Sequence, residues 1–152
     1  MDLAPWFLLA HVLGAIIAFG PTFSFAIMGR LGAQEPEHDN FATRLSAAIS
    51  RVQVVPFAIL QGITGTGIVL TRGIDVTRVP WLIVAVALYL VALGYAIFVQ
   101  TPTIQRVIEL TSGAPSGSAP ALVPLVRRVQ VGGLFLTALI VIIVFLMVVK
   151  PF

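Results

Sequence analysis

A chain of 152 residues has the length of one domain, and its composition places that domain in a lipid bilayer. Fifty-nine per cent of the residues are hydrophobic, only 10% are charged and the mean hydropathy is +1.06, whereas a soluble globule is about 25% charged because its surface faces water. These values argue against a secreted disulfide scaffold, a disordered chain and a nucleic-acid-binding domain. The net charge of +3 reflects a modest arginine excess of the kind that sets membrane topology. With no cysteine, there is no disulfide, thiolate nucleophile or cysteinyl metal site.

Four apolar stretches, about 5–28, 52–71, 79–99 and 129–149, approach or exceed the roughly 20 residues that a spanning helix needs. They predict an all-α fold, a four-transmembrane-helix bundle in a single membrane domain over 1–152. The connections are 29–51, 72–78 and 100–128. Within the last, Ser-Gly-Ala-Pro-Ser-Gly-Ser at 112–118 reads as a flexible loop. The unbroken Ile-Val-Ile-Ile-Val-Phe-Leu run at 140–146 lacks the alternation of a barrel strand. No Lys or Arg precedes the first span, which is longer than a signal h-region, so it reads as a mature helix.

Arg30, Arg44, Arg51, Arg106, Arg127 and Arg128 fall on one side of this layout, and Arg72, Arg78 and Lys150 on the other. The positive-inside rule puts the six-arginine side in the cytoplasm and both termini outside.

Span two begins Arg51-Val52-Gln53-Val54 and span four Arg128-Val129-Gln130-Val131, an offset of 77 residues; Pro-Thr recurs at 21–22 and 102–103, an offset of 81. Both pairs run in the same direction, which suggests two parallel duplicated helical hairpins. Ala10, Gly14, Ala18 and Thr22 give span one a small-residue face suited to close helix approach. Polar stripes follow Gln53, Phe57, Gln61 and Thr64 on span two, and Arg127, Gln130, Gly133 and Thr137 on span four. They are expected to point inward or at a partner, because an unpaired amide in lipid is costly.

His11 is the side chain with most chemical potential. It lies about 9 Å inside the outer edge of span one, and an ionisable group at that depth marks a functional-site hypothesis. It has three readings: a histidine bonded to a hydroxyl or carbonyl of a neighbouring helix, a ligand to haem b or a metal, or a proton relay. Arg72 and Arg78 lie above it, where haem propionates would meet them. The other histidine, His38, falls across the membrane, so one chain does not supply a bis-histidine pair. No carboxylate lies inside a span, which argues against a metal hydrolase or paired-carboxylate catalysis.

Arg44, Arg51, Arg106, Arg127 and Arg128 gather at the other end of the spans with Gln53, Gln100 and Gln130. They either fix topology or hold an anion such as a lipid head group. Asp39 or Asn40 is a candidate cap for a short interfacial helix entering Arg44. Gly62, Gly65 and Gly67 lack the strand context of a nucleotide loop and fit close packing. Pro21, Pro56 and Pro102 each remove a helical donor and are candidate kinks.

The His11-Val12-Leu13-Gly14-Ala15 opening, followed by Phe19-Gly20-Pro21-Thr22-Phe23, resembles the DUF2269 family of small bacterial integral membrane proteins of unknown function. That resemblance implies a multi-pass protein of the bacterial cytoplasmic (inner) membrane. His11 and Gly14 also resemble the His-x-x-Gly start of HemJ-type membrane haem proteins, which would imply haem ligation at His11.

Three functions follow from these residues. The leading expectation is a non-catalytic structural or accessory protein without a cofactor, packed among membrane lipids against itself or other membrane subunits. The others are a haem b redox protein centred on His11, and a small transporter or proton-conducting protein using the polar stripes.

Overall fold

The computed structural model describes residues 2–35, 37–112 and 122–151, so the flexible loop expected at 112–118 lies, from 113 onward, outside the described residues. Among the described residues, four helices are long and apolar enough to cross a bilayer: α1 (Ala4–Gln34), α2 (Asp39–Thr71), α3 (Pro80–Thr111) and α4 (Leu122–Val149). All regular structure among the described residues is helical. The ends at Ala4, Thr71, Pro80 and Val149 form the terminal end of the bundle, and the opposite ends form the arginine-rich end.

The expected spans lie within these helices, but much of 29–51 and 100–128, expected as connection, is helical too. Polar residues end the stretch that suits hydrocarbon without ending the helix: Asp39–Ile49 lies against α1 and α3 with none of its residues fully buried, and Thr101–Thr111 buries Thr103, Val107 and Thr111. The separate interfacial helix expected near Arg44 is therefore the first part of α2. Neither Asp39 nor Asn40 caps it: His38 holds the cap position without a side-chain bond. Asn40 Nδ2 instead donates to Thr111 Oγ1 at 2.7 Å, tying α2 to α3 beyond the span.

At the terminal end, α1 starts with Asp2 Oδ1 accepting the Ala4 N–H at 3.0 Å and with Pro5 in its first turn. α2 stops at Gly73, whose φ of 60° suits a residue without Cβ. Gly73 N donates to Leu70 O and Ile74 N to Val69 O, which satisfies the last carbonyls in a Schellman motif. Both tryptophans, Trp6 and Trp81, lie at this end, and the Lys150 ammonium sits 5.5 Å from the Trp81 ring centroid.

Two helices change their winding. α2 is π-helical over Ser50–Val54 and α3 over Ala96–Gln100, in each case just before a proline, Pro56 or Pro102. A proline ring collides with the carbonyl four residues back and offers it no N–H. The chain widens by one residue, so that Val55 N donates to Ser50 O and Thr101 N to Ala96 O.

α1 packs along α2 and α4 along α3; the two hairpins meet through α1 and α4 and through α2 and α3. Small residues face inward: Ala18 and Ala85 are fully buried, with Gly14, Gly67 and Gly132 at close approaches. Large apolar side chains such as Trp6, Ile16, Phe23 and Leu134 face outward. This inverts the soluble pattern, as expected where lipid is the solvent and association depends on close packing.

Candidate functional site

The small-residue face of α1 forms a polar seam with α2. Gly14 and Ala18 are buried, and the helices are close enough that a Cβ on Gly14 would come 2.6 Å from Gln61 Nε2. Through that gap Gln61 Nε2 donates to His11 O at 2.8 Å. One turn along α2, Thr64 donates its single hydroxyl proton to Leu60 O at 2.9 Å. His11 Nδ1–H therefore donates to Thr64 Oγ1, also at 2.9 Å. Gln61 and Thr64 are only 5% and 4% exposed, and the imidazole lies against Gly65.

Gln53, the third polar residue expected on this face, donates through Nε2 to Ile17 O at 3.0 Å. Ile17 precedes Pro21 by four residues, so its carbonyl is the one that Pro21 deprives of a helical donor. The amide of α2 supplies the missing hydrogen bond. The α3–α4 pair uses the same device without a proline: Gln100 Nε2 donates to Val129 O at 2.9 Å over Gly132, beside Tyr95. Tyr95 in turn meets Phe135 edge-on, with ring centroids 5.1 Å apart. Between α2 and α3, Tyr89 Oη donates to Ala58 O at 3.0 Å across Gly62.

The stripe expected on α4 does not join this network. Arg127 and Gln130 are exposed, and Thr137 donates to Gly133 O of its own helix at 2.9 Å. The buried face of α4 runs instead through Leu122, Gly132, Leu139, Ile140 and Leu146. Gly132 sets that face because it admits the Gln100 amide and the Tyr95 hydroxyl. The sequence reading placed Gln100 with the arginines and overlooked Tyr89. The signal for both was a polar tip facing a glycine on a neighbouring helix, Gly132 and Gly62.

Arg72 and Arg78, expected above His11, lie beyond the terminal end of α2. Arg72 is exposed, and Arg78 Nε lies 3.0 Å from Asp75 Oδ2. His38 sits at the arginine-rich end, 3.2 Å from Glu35. Among the described residues, no group of three His, Cys, Asp or Glu side chains lies close enough to share a metal ion. The His11 ring lies against Gly65 of α2, with the Thr64 hydroxyl as its side-chain partner.

The five arginines of the other end are all exposed. Arg106 pairs with Glu109 at 3.1 Å. Arg51 lines a cleft of about 580 Å³ between α2 and α3, at the level of the two π turns.

A family described as predicted integral membrane protein (DUF2269) matches residues 6–151. The chain belongs to the DUF2269 family. The match runs from the first turn of α1 to the end of α4, far beyond the segment of α1 that carries the local resemblance. No curated protein and no solved structure matches the chain. The His11–Gly14 likeness to HemJ-type proteins rests on those residues alone, and here Gly14 admits the Gln61 amide.

In this DUF2269 protein, three glutamines and a tyrosine act between helices. Gln53 and Gln61 fasten α1 to α2, Tyr89 fastens α2 to α3, and Gln100 fastens α3 to α4. Each donates to a backbone carbonyl, where a hydrogen bond in lipid holds two helices in one register.

Proposed function

We propose that this protein is a non-catalytic component of a membrane assembly, acting by packing rather than by chemistry. The observation that carries the reading is that His11, Gln53, Gln61, Tyr89 and Gln100 each bond to a neighbouring helix instead of surrounding a common space. A transport path or redox centre needs polar groups aimed at a shared ligand, whereas the glutamines and Tyr89 are aimed at backbone and His11 at the Thr64 hydroxyl.

The outer face of α1 offers a place for a second helix. Gly20 and Ser24 are exposed at a four-residue spacing, and a Cβ on Gly20 would meet nothing within 4 Å. A glycine in a helix interior costs about 1 kcal/mol relative to alanine, and a close helix approach offsets that cost. The arginine count supports an orientation with the arginine-rich end in the cytoplasm and both termini outside, and our reading takes the membrane to be a bacterial inner membrane.

Cysteine crosslinking in native membranes tests the packing, because the chain has no cysteine of its own. A single cysteine at Ser24 is expected to give a crosslinked species larger than one chain, and Gly20→Leu is expected to abolish it. A Ser24→Cys chain that stays uncrosslinked under oxidation and with bifunctional reagents would refute the reading.

A further inference from the structure

The cleft between α2 and α3 has a composition and a level of its own. The two helices are joined inside the span by Tyr89 Oη to Ala58 O and beyond it by Asn40 Nδ2 to Thr111 Oγ1. Between those ties they part, and the opening of about 580 Å³ is lined by α2 and α3 alone. That volume falls in the range of pockets that hold small organic ligands, about 300–1,000 Å³. The π turns explain its place, since Ser50, Arg51 and Val52 belong to one and Ile97 to the other. Widening each helix there, with Ala47 and Ala48 beside it, leaves the gap that regular packing would fill.

The level is the membrane boundary. Arg51 stands about twenty residues from the terminal end of α2, which at 1.5 Å per residue is about 30 Å, the thickness of the hydrocarbon. Ile97, Ile104 and Ile108 follow one face of α3 across that boundary. Apolar side chains lining a groove outside the hydrocarbon favour an apolar occupant.

Charge selects the occupant further. Arg51 is the one charged side chain among the lining residues, and no carboxylate lines the cleft. Arg44 lies two turns further out on the same side of α2. Among the described residues, neither Arg44 nor Arg51 has a carboxylate within 4.0 Å, while Arg78 and Arg106 are paired with Asp75 and Glu109. A guanidinium at the mouth of an apolar groove at this depth matches a phosphate with an acyl chain attached.

We propose that this cleft binds one anionic glycerophospholipid, with an acyl chain along Val55 and Ile97 and the phosphate at Arg51, supported by the charge of Arg44. Native mass spectrometry of the full chain, purified with phosphatidylglycerol or phosphatidylcholine, tests it. A single phosphatidylglycerol adduct is expected to survive activation that strips phosphatidylcholine. Arg51→Gln is expected to weaken it about tenfold or more, the scale of one lost charge-assisted hydrogen bond. Ala48→Phe, which fills the groove and keeps the charge, is expected to remove the adduct as well, while Arg30→Gln, at an exposed arginine of the same end, leaves it intact. Equal retention of the two lipids, or an adduct indifferent to both Arg51→Gln and Ala48→Phe, would overturn the proposal. Displacement by millimolar glycerol 3-phosphate would overturn it too, by assigning the arginine to a water-soluble anion. Circular dichroism of each variant in phosphatidylcholine micelles separates loss of lipid from loss of fold.

Discussion

Replacing Gln53 by Met removes the amide that serves the Ile17 carbonyl and keeps nearly the same side-chain length. The 3.0 Å bond from Gln53 Nε2 is the replacement for the donor that Pro21 lacks. Without it the carbonyl loses both its helical and its interhelical donor. Leaving such a group unsatisfied away from water costs about 1–3 kcal/mol, whereas an ordinary interhelical hydrogen bond in a membrane averages about 0.6 kcal/mol. The difference is testable in a double-mutant cycle with Pro21→Ala, which returns an N–H to the Ile17 carbonyl. Gln53→Met is expected to cost about 1–3 kcal/mol with Pro21 present and about 0.6 kcal/mol in the Pro21→Ala background. Reversible unfolding in mixed micelles with increasing denaturing detergent measures all four proteins. Equal losses in the two backgrounds, within the ~0.5 kcal/mol expected of independent sites, would refute the repair of the proline by the glutamine.

Glycine substitutions should separate contact from open space. Gly132→Ala drives a methyl into Gln100 and Tyr95 and is expected to destabilise by about 1–3 kcal/mol, whereas Gly94→Ala, with nothing within 4 Å, should be neutral or stabilising by up to about 1 kcal/mol; the same unfolding assay reads both. Tyr89→Phe removes one bond to Ala58 O and is expected to cost about 0.6 kcal/mol, so a loss of several kcal/mol would contradict its place as a single interhelical tie. Protein expressed with ample haem and purified in mild detergent is expected to be colourless before and after reduction; a stoichiometric Soret band lost in His11→Ala would reverse that. Single cysteines at Glu37 and Thr77 should label from opposite sides in intact cells, Thr77→Cys from outside and Glu37→Cys only after permeabilisation.

The spans and their interior face were legible because each depends on a strong and simple quantity. Twenty apolar residues define a helix that crosses lipid, and Gly14 with Ala18 at a four-residue spacing defines a side thin enough for a neighbour. Gln53, Gln61 and Thr64 share one helix face, so their inward direction followed from spacing and from the cost of an amide in lipid. Hydropathy does not report where a helix stops, which is why the extensions of α2 and α3 read as connections. The short Arg-Val-Gln-Val echo gave Gln53 and Gln130 equal standing, but a four-residue match carries no packing information. Gly132 decides the face of α4, and it brings in Gln100 from α3 while Gln130 faces outward. His11 was legible as a buried-side polar residue; its partner Thr64 was placed at the right depth, but only the geometry distinguishes a bond to Thr64 from a ligand.

The prolines of the arginine-rich half show how the chain handles a lost donor in three places. At Pro21 the deprived carbonyl borrows an amide from α2, and at Pro56 and Pro102 the helix widens into a π turn. The two π turns lie at the same level of antiparallel helices. A twofold axis along the membrane normal relates helices of like direction, and a twofold axis in the plane exchanges the two ends, so neither maps one turn onto the other. A duplicated hairpin would repeat the turn of α2 in α4 and that of α3 in α1, yet both of those helices are regular where described. The equivalence therefore comes from the level itself. Near the boundary, water and head groups reach a carbonyl that has lost its helical donor, so a proline and the widened turn before it are cheaper there than in mid-bilayer. The cleft follows from the same cause, since two helices widened at one level part where hydrocarbon gives way to head groups.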